Sequence, residues 1–455
     1  MSLKSPSLVV ILLAAVAWIY TVLNIGEYKS GHVIVEDVIS YYSYLPALFI
    51  EKDLSLQFLD NTPNVIPNAY WHQELPTGEK VFKMTLGVSV LYAPFFFMAH
   101  VYALLTGSVT NGFSTPYQLS IGLSGVFYAC MGLLILRKLL RKYYSEKEVA
   151  ITLLIVCFGT NLYNYASKEA ALSHAFSFFL FSALLWVNYK WHQHPTLKKS
   201  LVLGCIAGLI ILIRPTNIVV LLLVLLYGIV DGHSIKAKLR FLFYHKKQVL
   251  VFVLTLIVVL LPQFLYWHKI TGSWLVYTYG NEKLYLLQPH IAEVLFSFRK
   301  GWLIYTPVMI FALVGISFIK GQARDYIVAI VVFMLINSYV ISSWWCWWYG
   351  GSYGMRTMVE SYALLVIPLA ALIHHLYGKS AIIRNVVFIS IGIISCWNLY
   401  LSYQYKRGIL HYDSMTAKAY AALFTNFHKP ENMEQLLSPP DYNAALEGKE
   451  KYNWK

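Results

Sequence analysis

Apolar runs close to 20 residues long recur along almost the whole chain. About 20 helical residues are needed to cross the ~30 Å hydrocarbon layer of a bilayer. With 58% hydrophobic and 13% charged residues, the chain also has far fewer charges than the roughly 25% of an ordinary soluble domain. Backbone amides in lipid must pair within their own segment, and no alternating barrel-strand pattern is present. The expected fold class is therefore all-α, a polytopic integral membrane helical bundle.

Three other interpretations of the composition are disfavoured. The net charge of +14 does not indicate nucleic-acid binding, because the basic residues are spread over short connectors rather than gathered in a polar domain. The five cysteines are scattered and form no CxxC pair, so neither a disulfide framework nor a structural zinc site is expected. Residues 7–25 resemble a signal peptide in position. This segment is longer than a usual signal core and lacks a small-x-small cleavage site, so we expect a retained first helix.

The short basic connectors predict how the helices are oriented. Lys and Arg accumulate in short cytoplasmic loops, and nearly half of the 36 Lys and Arg residues lie in segments 137–147, 190–199, 231–247, 320–325 and 379–384. Placing these segments inside predicts about eleven crossings, with the N-terminus inside and the C-terminus outside. The predicted helices are 7–25, 117–137, 148–164, 171–189, 200–213, 215–230, 249–267, 301–319, 326–343, 358–376 and 385–403.

Two places complicate this alternation. If 86–106 crossed fully, every later basic loop would lie outside, so we expect a juxtamembrane or re-entrant segment that is broken near Pro94. At Arg214-Pro215 the chain either kinks within one long helix or turns at the outer surface between two helices.

The predicted domain organisation is one transmembrane module followed by a tail. The module covers 1–403 and includes a long first outer loop, 26–85, that carries juxtamembrane helices. The segment 404–455 is a short outer-face C-terminal tail that is too small and too polar to be an independent domain.

The predicted topology gathers the ionisable residues near membrane depth at the outer surface, where such residues by default mark a site or a pathway. On one helix, Asp37, Tyr41 and Tyr44 would share a face at i, i+4 and i+7, which places a carboxylate beside two hydroxyl-bearing rings. Such a carboxylate can deprotonate an acceptor group, and Glu36 is the competing candidate. The alternative interpretation is that Asp37 only caps the helix.

Three cations on separate elements complete the candidate site. Lys83, Arg214 and Arg356 could together clamp a phosphate or pyrophosphate at headgroup level. The alternative is that each basic side chain reaches for lipid phosphates from a helix end. His174 could bond a phosphate oxygen or a sugar hydroxyl, or it could be a packing residue.

The stretch SSWWCWWYGGSYGMR at 342–356 crowds aromatic rings, glycines and one arginine between two apolar runs. An aromatic belt at the membrane interface explains Trp and Tyr at this depth, but it does not require GGSYG. Glycines let the backbone approach a ligand, and aromatic faces bind sugar rings and prenyl chains. Candidate sugar- or lipid-binding residues are Tyr41, Tyr44, Glu169, Lys300, Trp348 and Tyr353.

Six motifs together resemble the GT-C superfamily of polytopic glycosyltransferases. They are EDVISYYSYLP (36–46), KMTLGVSVLYAP (83–94), SKEAALSH (167–174), IRPTN (213–217), KGWLIYTPV (300–308) and GGSYGMR (350–356). Within the superfamily, the sequence is similar to bacterial relatives of protein O-mannosyltransferases and lipid A aminoarabinose transferases.

The resemblance implies a transferase that moves a sugar from a polyprenyl-phosphate donor to an acceptor on the outer face, with inversion. It implies that Asp37 is the base, with Glu36 as the competing match. It also implies that Lys83 and Arg356 contact the donor phosphate. Many relatives read Lys-Pro-Pro where this chain has Lys83-Met84-Thr85.

The expected partners are the lipid-linked sugar donor, membrane lipids and an acceptor that is a protein, a lipid or a glycan, with no nucleic acid. No tightly bound cofactor is predicted, and dependence on a divalent metal is left open. The expected location is a bacterial inner membrane, with the active site on the periplasmic face. The alternatives are a transporter or flippase, which would place ionisable residues near the bilayer midplane in related halves, and an O-antigen ligase or polymerase.

Overall fold

The structure, a computed structural model, describes residues 5–61, 70–424 and 426–454. It is built mainly of helices. The helices of the N-terminal half are α1 (Pro6–Ile25), α2 (Asp37–Tyr42), α3 (Tyr44–Phe49), α4 (Phe58–Asn61), α5 (Gly87–Thr106), α6 (Thr115–Leu140), α7 (Glu146–Gly159), α8 (Leu162–Tyr165), α9 (Ser173–Gln193), α10 (Leu197–Ile213) and α11 (Leu221–Leu225).

The second half continues the same pattern of long helices joined by short ones. Its helices are α12 (Gly232–Tyr244), α13 (Lys246–Thr271), α14 (Ile291–Phe296), α15 (Trp302–Tyr305), α16 (Met309–Gly315), α17 (Ile327–Ser342), α18 (Tyr362–Tyr377), α19 (Ala381–Lys406), α20 (Ala417–Ala422), α21 (Met433–Leu436) and α22 (Tyr442–Leu446). Short 3-10 helices cover Glu27–Lys29, Pro215–Val220, Ile316–Phe318, Gly321–Tyr326 and Arg356–Ser361.

The first loop adds a small exception to the all-helical prediction. Strands β1 (His72–Glu74) and β2 (Lys80–Phe82) pair antiparallel, with His72 opposite Phe82. The hairpin follows α2, α3 and α4, so the segment 26–85 does carry short helices as predicted.

Seven helical stretches among the described residues are long and apolar enough to cross a membrane. They are Pro6–Ile25, Gly87–Thr106, Thr115–Leu140, Lys246–Thr271, Gly321–Ser342, Arg356–Tyr377 and Ala381–Lys406. The prediction of a helical integral membrane protein is confirmed to this extent. The count of about eleven crossings stays a prediction.

The long helices approach one another closely where small residues face a neighbour. In α6, a Cβ on Gly125 would lie 1.7 Å from the carbonyl oxygen of Ala170, just before α9 begins. About two turns further along α6, a Cβ on Gly132 would lie 2.9 Å from the ring of Phe178 in α9. Small residues let helix backbones approach in this way within membranes, where packing holds helices together.

Charged residues mark the two ends of the bundle. At the end where α1 begins and α6 ends, which we call the lower end, Arg137 bonds Ser7 at 2.5 Å and Glu146 at 3.1 Å. At the opposite end, which we call the upper end, α9 begins and α10 ends. There Arg214, just after α10, bonds Ser173 at the start of α9.

Helix α5 differs from its prediction. The segment 86–106 was expected to break near Pro94, but α5 is one continuous helix that contains this proline. Helix α6 compensates, because Ser120 donates to the carbonyl of Phe95 and Tyr128 donates to that of Leu91. Neighbouring side chains therefore bond backbone groups on both sides of the proline, which is how such residues are tolerated in apolar helices.

The structure distinguishes between the two alternatives at Arg214-Pro215. Helix α10 ends at Ile213, and Arg214 has an extended backbone with φ −148° and ψ 119°. The chain then returns toward the lower end, since Asn188 near the end of α9 donates to the carbonyl of Leu223 in α11. Arg214 therefore lies in a turn between two helices, and no single long helix runs through it.

The predicted helix 301–319 is wrong as one continuous element. Helix α15 ends at Tyr305, Pro307 follows, and α16 begins only at Met309. Thr306 has φ −136° and ψ 57°, and the residue before a proline is biased away from the helical region.

The contact between α6 and the start of α9 leads to a prediction about stability. We expect Gly125→Ala to lower the free energy of unfolding by about 1–3 kcal/mol, as overpacking does in well-packed cores. The matched control is Gly392→Ala in α19, where a Cβ meets nothing within 4 Å. Thermal unfolding in detergent measures both variants, and an unchanged Tm for Gly125→Ala would contradict the described packing.

Candidate functional site

Four elements that are distant in sequence meet at the upper end of the bundle. Helix α2 begins there with Asp37, α9 begins with Ser173 and His174, and the turn after α10 supplies Arg214. The 3-10 helix Arg356–Ser361 supplies Arg356 and Glu360. Each element presents its polar residue at an end or a turn, where backbone groups are not committed to a regular helix.

Asp37 and Arg356 form an ion pair. The distance from Arg356 Nη2 to Asp37 Oδ2 is 3.0 Å, and the two side chains are 14% and 23% exposed, respectively. Helix α2 begins at Asp37, its capping position is Glu36, and no side-chain hydrogen bond caps it. The interpretation of Asp37 as only a helix cap is therefore wrong, because its carboxylate faces the guanidinium.

Arg356 also retains binding capacity. Its Nε is buried and has no hydrogen-bond partner among the described residues. Tyr165, Arg214 and Glu169 lie close enough to interact with its charge. A buried donor without a partner is unfavourable, so this atom is suited to an anionic ligand that enters the site.

Glu36 differs from Asp37 in both conformation and direction. It is exposed, and its backbone has φ 49° and ψ −134°, a region that costs a non-glycine residue about 1–3 kcal/mol. This turn sets the entry into α2 and directs the next residue, Asp37, toward Arg356. Of the two acidic residues expected to compete for one role, only Asp37 contacts the cation.

A second charged cluster lies around Arg214. Its guanidinium is 3.2 Å from Glu360 Oε1, 2.8 Å from Ser173 Oγ and 3.2 Å from His174 Nε2. His174 Nδ1 is 3.4 Å from the other oxygen of Glu360, and Tyr41 lies beside the same guanidinium. Glu360 is only 5% exposed, so its charge is compensated within the cluster.

Lys83 lies at one side of this cluster. Its Nζ is 2.6 Å from Glu282 Oε1 and lies over the rings of Trp71 and Tyr279, at 5.2 and 5.5 Å from their centroids. Tyr279 in turn is close to Tyr41, Arg214 and Asp37. Burial raises the pKa of Tyr279 well above its ordinary value, so its hydroxyl keeps its proton. Tyr279 therefore lies near both Lys83 and the Asp37–Arg356 ion pair.

The expected common face of Asp37, Tyr41 and Tyr44 is only partly present. Helix α2 ends at Tyr42, and a separate helix, α3, begins at Tyr44. The hydroxyl of Tyr44 donates to the carbonyl of Met84, and its ring packs against Phe82 and Tyr266. Tyr41 lies at the site, whereas Tyr44 belongs to the packing under the first loop.

Trp348 and Tyr353 were expected to bind a sugar or a lipid, but the structure buries both completely. The indole of Trp348 donates to Tyr442 at 3.4 Å. The Tyr353 hydroxyl donates to Asn398, and its backbone bonds the hydroxyl of Tyr165. Neither ring has an exposed face, so protein packing explains both residues.

Lys300 is likewise a buried structural residue. Its Nζ donates to the carbonyls of Ser352 and Tyr412. Burial lowers the pKa of Lys300 to about 7, while Asp413 and Glu169 favour its charged form. The side chain joins the glycine-containing loop to the tail and does not face a ligand.

The C-terminal tail accounts for most of the aromatic stretch 342–356. Arg299 lies over the rings of Trp347, Trp348 and Tyr452 and is 2.6 Å from Glu450. The indole of Trp347 donates to the other oxygen of Glu450 at 3.1 Å. The tail therefore packs onto the loop as part of the same structure.

The glycines of this stretch also serve protein packing. Gly354 has φ 57°, and a Cβ there would lie 2.8 Å from Cβ of Tyr305. A Cβ on Gly351 would lie 3.2 Å from the ring of Tyr412. These glycines make room for neighbouring rings, and by doing so they bring Arg356 to the ion pair.

Glu169 lies near the site without joining Asp37. Its carboxylate accepts from Asn164 at 2.8 Å and from Tyr405 at 2.7 Å. Over residues 5–61, 70–424 and 426–454, no group of three or more His, Cys, Asp and Glu side chains is placed to hold a metal ion. Glu36, Asp37 and Glu169 are thus not gathered into an oxygen site.

Several residues of the site could not be selected from the sequence. Glu360 follows Arg356 by four residues, and it is the partner of Arg214 and His174. Glu282 and Tyr279 lie in the connector between α13 and α14, where nothing in the local pattern indicates a site. Glu282 is an acidic residue within an aromatic-rich connector, a pattern too general to select it.

Comparisons with known proteins give limited information. No protein-family model matches the sequence, and no curated protein matches it. Among solved structures, the fold is similar to the crystal structure of the Archaeoglobus fulgidus oligosaccharyltransferase in complex with Zn and sulfate, at a TM-score of 0.49 and 12% identity. The similarity covers 95% of this chain and 59% of that one, so the chain spans less than two thirds of the other protein's length. A likeness at this level gives no basis for assigning an activity.

The buried contact between loop and tail generates a prediction. Arg299 and Glu450 are 2% and 4% exposed, and breaking a buried ion pair by removing one charge costs about 3–5 kcal/mol. We expect Glu450→Gln to lower the Tm and to make the tail more sensitive to limited proteolysis. Glu434→Gln is the matched control, since its partner Lys429 and Glu434 itself are 45% and 71% exposed. Equal proteolysis of the two variants would show that the pair does not anchor the tail.

Proposed function

We propose that the chain is a membrane glycosyltransferase that moves a sugar from a polyprenyl-phosphate donor to an acceptor, with inversion at the anomeric carbon. The observation that carries the proposal is the ion pair between Asp37 and Arg356 at 3.0 Å. It places a carboxylate directly beside a guanidinium with an unpartnered buried Nε. A base next to a phosphate-binding cation is the minimum that this transfer requires.

The cations at the upper end supply the phosphate site. Arg356 holds its partner through one nitrogen, which leaves a donor for a second contact. Arg214 lies nearby and is oriented by Ser173 and Glu360. Guanidinium groups bind phosphate oxygens through paired N–H bonds, and His174 is placed to support Arg214 through Nε2.

The donor phosphate competes with Asp37 for Arg356. A phosphate monoester or diester is an anion with several acceptor oxygens, so it can take the guanidinium from the carboxylate. This exchange frees Asp37 at the moment when donor is present. The carboxylate then lies beside the bound donor, within reach of an acceptor hydroxyl or amine.

The transfer step balances as a single displacement. The acceptor oxygen or nitrogen attacks the anomeric carbon while the bond from that carbon to the phosphate oxygen breaks. The acceptor's proton goes to Asp37, and the electron pair of the broken bond goes to the polyprenyl phosphate. Arg356 and Arg214 stabilise the charge that develops on the leaving phosphate, which is where preorganised cations contribute most.

Lys83 has a related part in the proposal. Its pairing with Glu282 and its place over Tyr279 hold a cation at the edge of the site. We assign it to the outer phosphate oxygens or to the approach of the donor. The apolar helices around the site would admit the prenyl chain from the bilayer, and we place the site on the periplasmic side of a bacterial inner membrane, as the basic connectors predict.

The experiment compares Asp37→Asn with Glu36→Gln in membranes supplied with a labelled sugar on polyprenyl phosphate. Loss of a general base typically lowers the rate by about 10²–10⁴-fold. We therefore expect the rate of transfer by Asp37→Asn to fall within about this range. Binding of polyprenyl phosphate should be retained or tightened, because the substituted side chain no longer competes as an anion for Arg356. Transfer by Glu36→Gln should stay near the wild-type level.

Two results would contradict these roles. Full activity of Asp37→Asn, in protein with an unchanged Tm, would remove Asp37 as the base. Loss of activity in Glu36→Gln alone would transfer that role to the exposed neighbour.

A further inference from the structure

An open groove lies between the connector after α13 and the C-terminal tail. Its volume is about 780 Å³, within the ~300–1,000 Å³ typical of small-ligand sites. Tyr277, Asn281 and Lys283 line it from the connector, and Asn443, Leu446 and Glu447 line it from the tail. We call it the tail groove.

The walls of the tail groove are held in place by contacts within the chain. The hydroxyl of Tyr285 donates to the carbonyl of Leu446, and a Cβ on Gly448 would lie 2.5 Å from the Tyr285 ring. Leu284 forms a β-bridge with Trp344, which ties the connector to the aromatic loop. The groove is therefore preformed and does not depend on a loop closing over a ligand.

The lining favours an uncharged, hydroxyl-rich ligand. Asn281 and Asn443 are exposed, and no hydrogen bond of either carboxamide occurs within the described part of the chain. Lys283 and Glu447 contribute opposite charges, so the lining has no net charge, and Glu447 already pairs with Lys449 at 2.8 Å. Each carboxamide can both donate to and accept from neighbouring hydroxyls.

Two further features of the groove lining favour a saccharide over other classes of ligand. Tyr277 is 58% exposed and offers an aromatic face on which the apolar face of a sugar ring can stack. Leu446 is the single aliphatic residue among those that line the groove. A lipid chain or a hydrophobic peptide would require more apolar surface than this lining provides.

Residues next to the tail groove also interact with residues of the candidate site. Glu282, between the groove residues Asn281 and Lys283, carries the carboxylate that holds Lys83. The rings of Tyr277 and Tyr279 are 5.9 Å apart, and Tyr279 is close to Asp37. A ligand that extends from the groove along Tyr277 and Tyr279 would approach the carboxylate that is assigned as the base.

We propose that the tail groove binds the acceptor and that the acceptor is a glycan. This inference rests on the proposed glycosyl transfer, since it assigns the acceptor class for that reaction. The terminal sugar would present its hydroxyl to Asp37, while the preceding residues lie between the two carboxamides and on Tyr277.

The test measures binding separately from transfer. Purified full-length protein in detergent is titrated with maltotriose, mannotriose and chitotriose, and with a serine- and threonine-containing hexapeptide. Asn281→Ala and Asn443→Ala should each raise the Kd of the bound trisaccharide about five- to tenfold, the effect of one lost hydrogen-bonding group. Asn432→Ala is the matched control, because Asn432 is an exposed tail residue that makes no side-chain capping bond.

The outcomes separate this inference from the proposed function. If wild-type protein transfers sugar, the two groove variants should raise the acceptor KM by the same factor and leave the donor KM unchanged. Transfer with an unaltered acceptor KM in both variants would overturn the assignment of the tail groove as the acceptor site. Failure of all three trisaccharides to bind would overturn it as well. Binding of only the hexapeptide, weakened by Asn443→Ala, overturns the glycan assignment. Trisaccharide binding without any transfer would leave the groove in place and contradict the glycosyl transfer instead.

Discussion

The site depends on the pairing of charges that lie close to an apolar interior. Each ion taken out of water loses roughly several kcal/mol of hydration free energy. This loss is recovered only when an oppositely charged partner and further hydrogen bonds are present. At the upper end, Asp37 compensates Arg356, and Glu360 compensates Arg214. Arg356 and Glu360 both lie in the 3-10 helix Arg356–Ser361, so α2, the turn after α10 and this helix must be in place together for both pairs to form.

The two pairs differ in how completely they are satisfied. Glu360 is held by both Arg214 and His174 and is almost fully buried. Asp37 is more exposed and contacts Arg356 through one nitrogen of the guanidinium. The first pair behaves as a fixed support, and the second is the one that an anionic ligand can open. In the proposed chemistry, Arg214 therefore contributes a fixed positive charge to the phosphate site, whereas Arg356 exchanges its carboxylate partner for the phosphate.

The aromatic loop and the tail fix the position of Arg356 in the Asp37–Arg356 pair. Arg356 follows the turn at Gly354, and that turn packs on Tyr305. Lys300 and Arg299 join the same region to the tail through backbone carbonyls and through Glu450. The unusual concentration of tryptophan in this stretch is therefore explained by the packing of the tail against the loop, which in turn fixes a guanidinium at the site.

The sequence predicted the helices well and the site only in part, for a physical reason. Apolar runs such as those of α6 and α13 locate a helix to within about four residues of its observed ends, because burial in lipid acts on each segment separately. The convergence of Asp37 with Arg356 could be hypothesised from charge and topology, but the partnership of Arg214 with Glu360 depends on how α10 and the 3-10 helix Arg356–Ser361 both pack on α9. Tyr44 was misplaced because a periodicity argument assumes an unbroken helix, whereas α2 ends at Tyr42.

The most direct test of the central claim is a structure of the full-length protein with a polyprenyl phosphate bound. The account predicts that the phosphate contacts Arg356, including its Nε, and that Asp37 has separated from the guanidinium by more than the ~4 Å limit of an ion pair. A phosphate bound elsewhere, with the Asp37–Arg356 distance still at 3.0 Å, would contradict it.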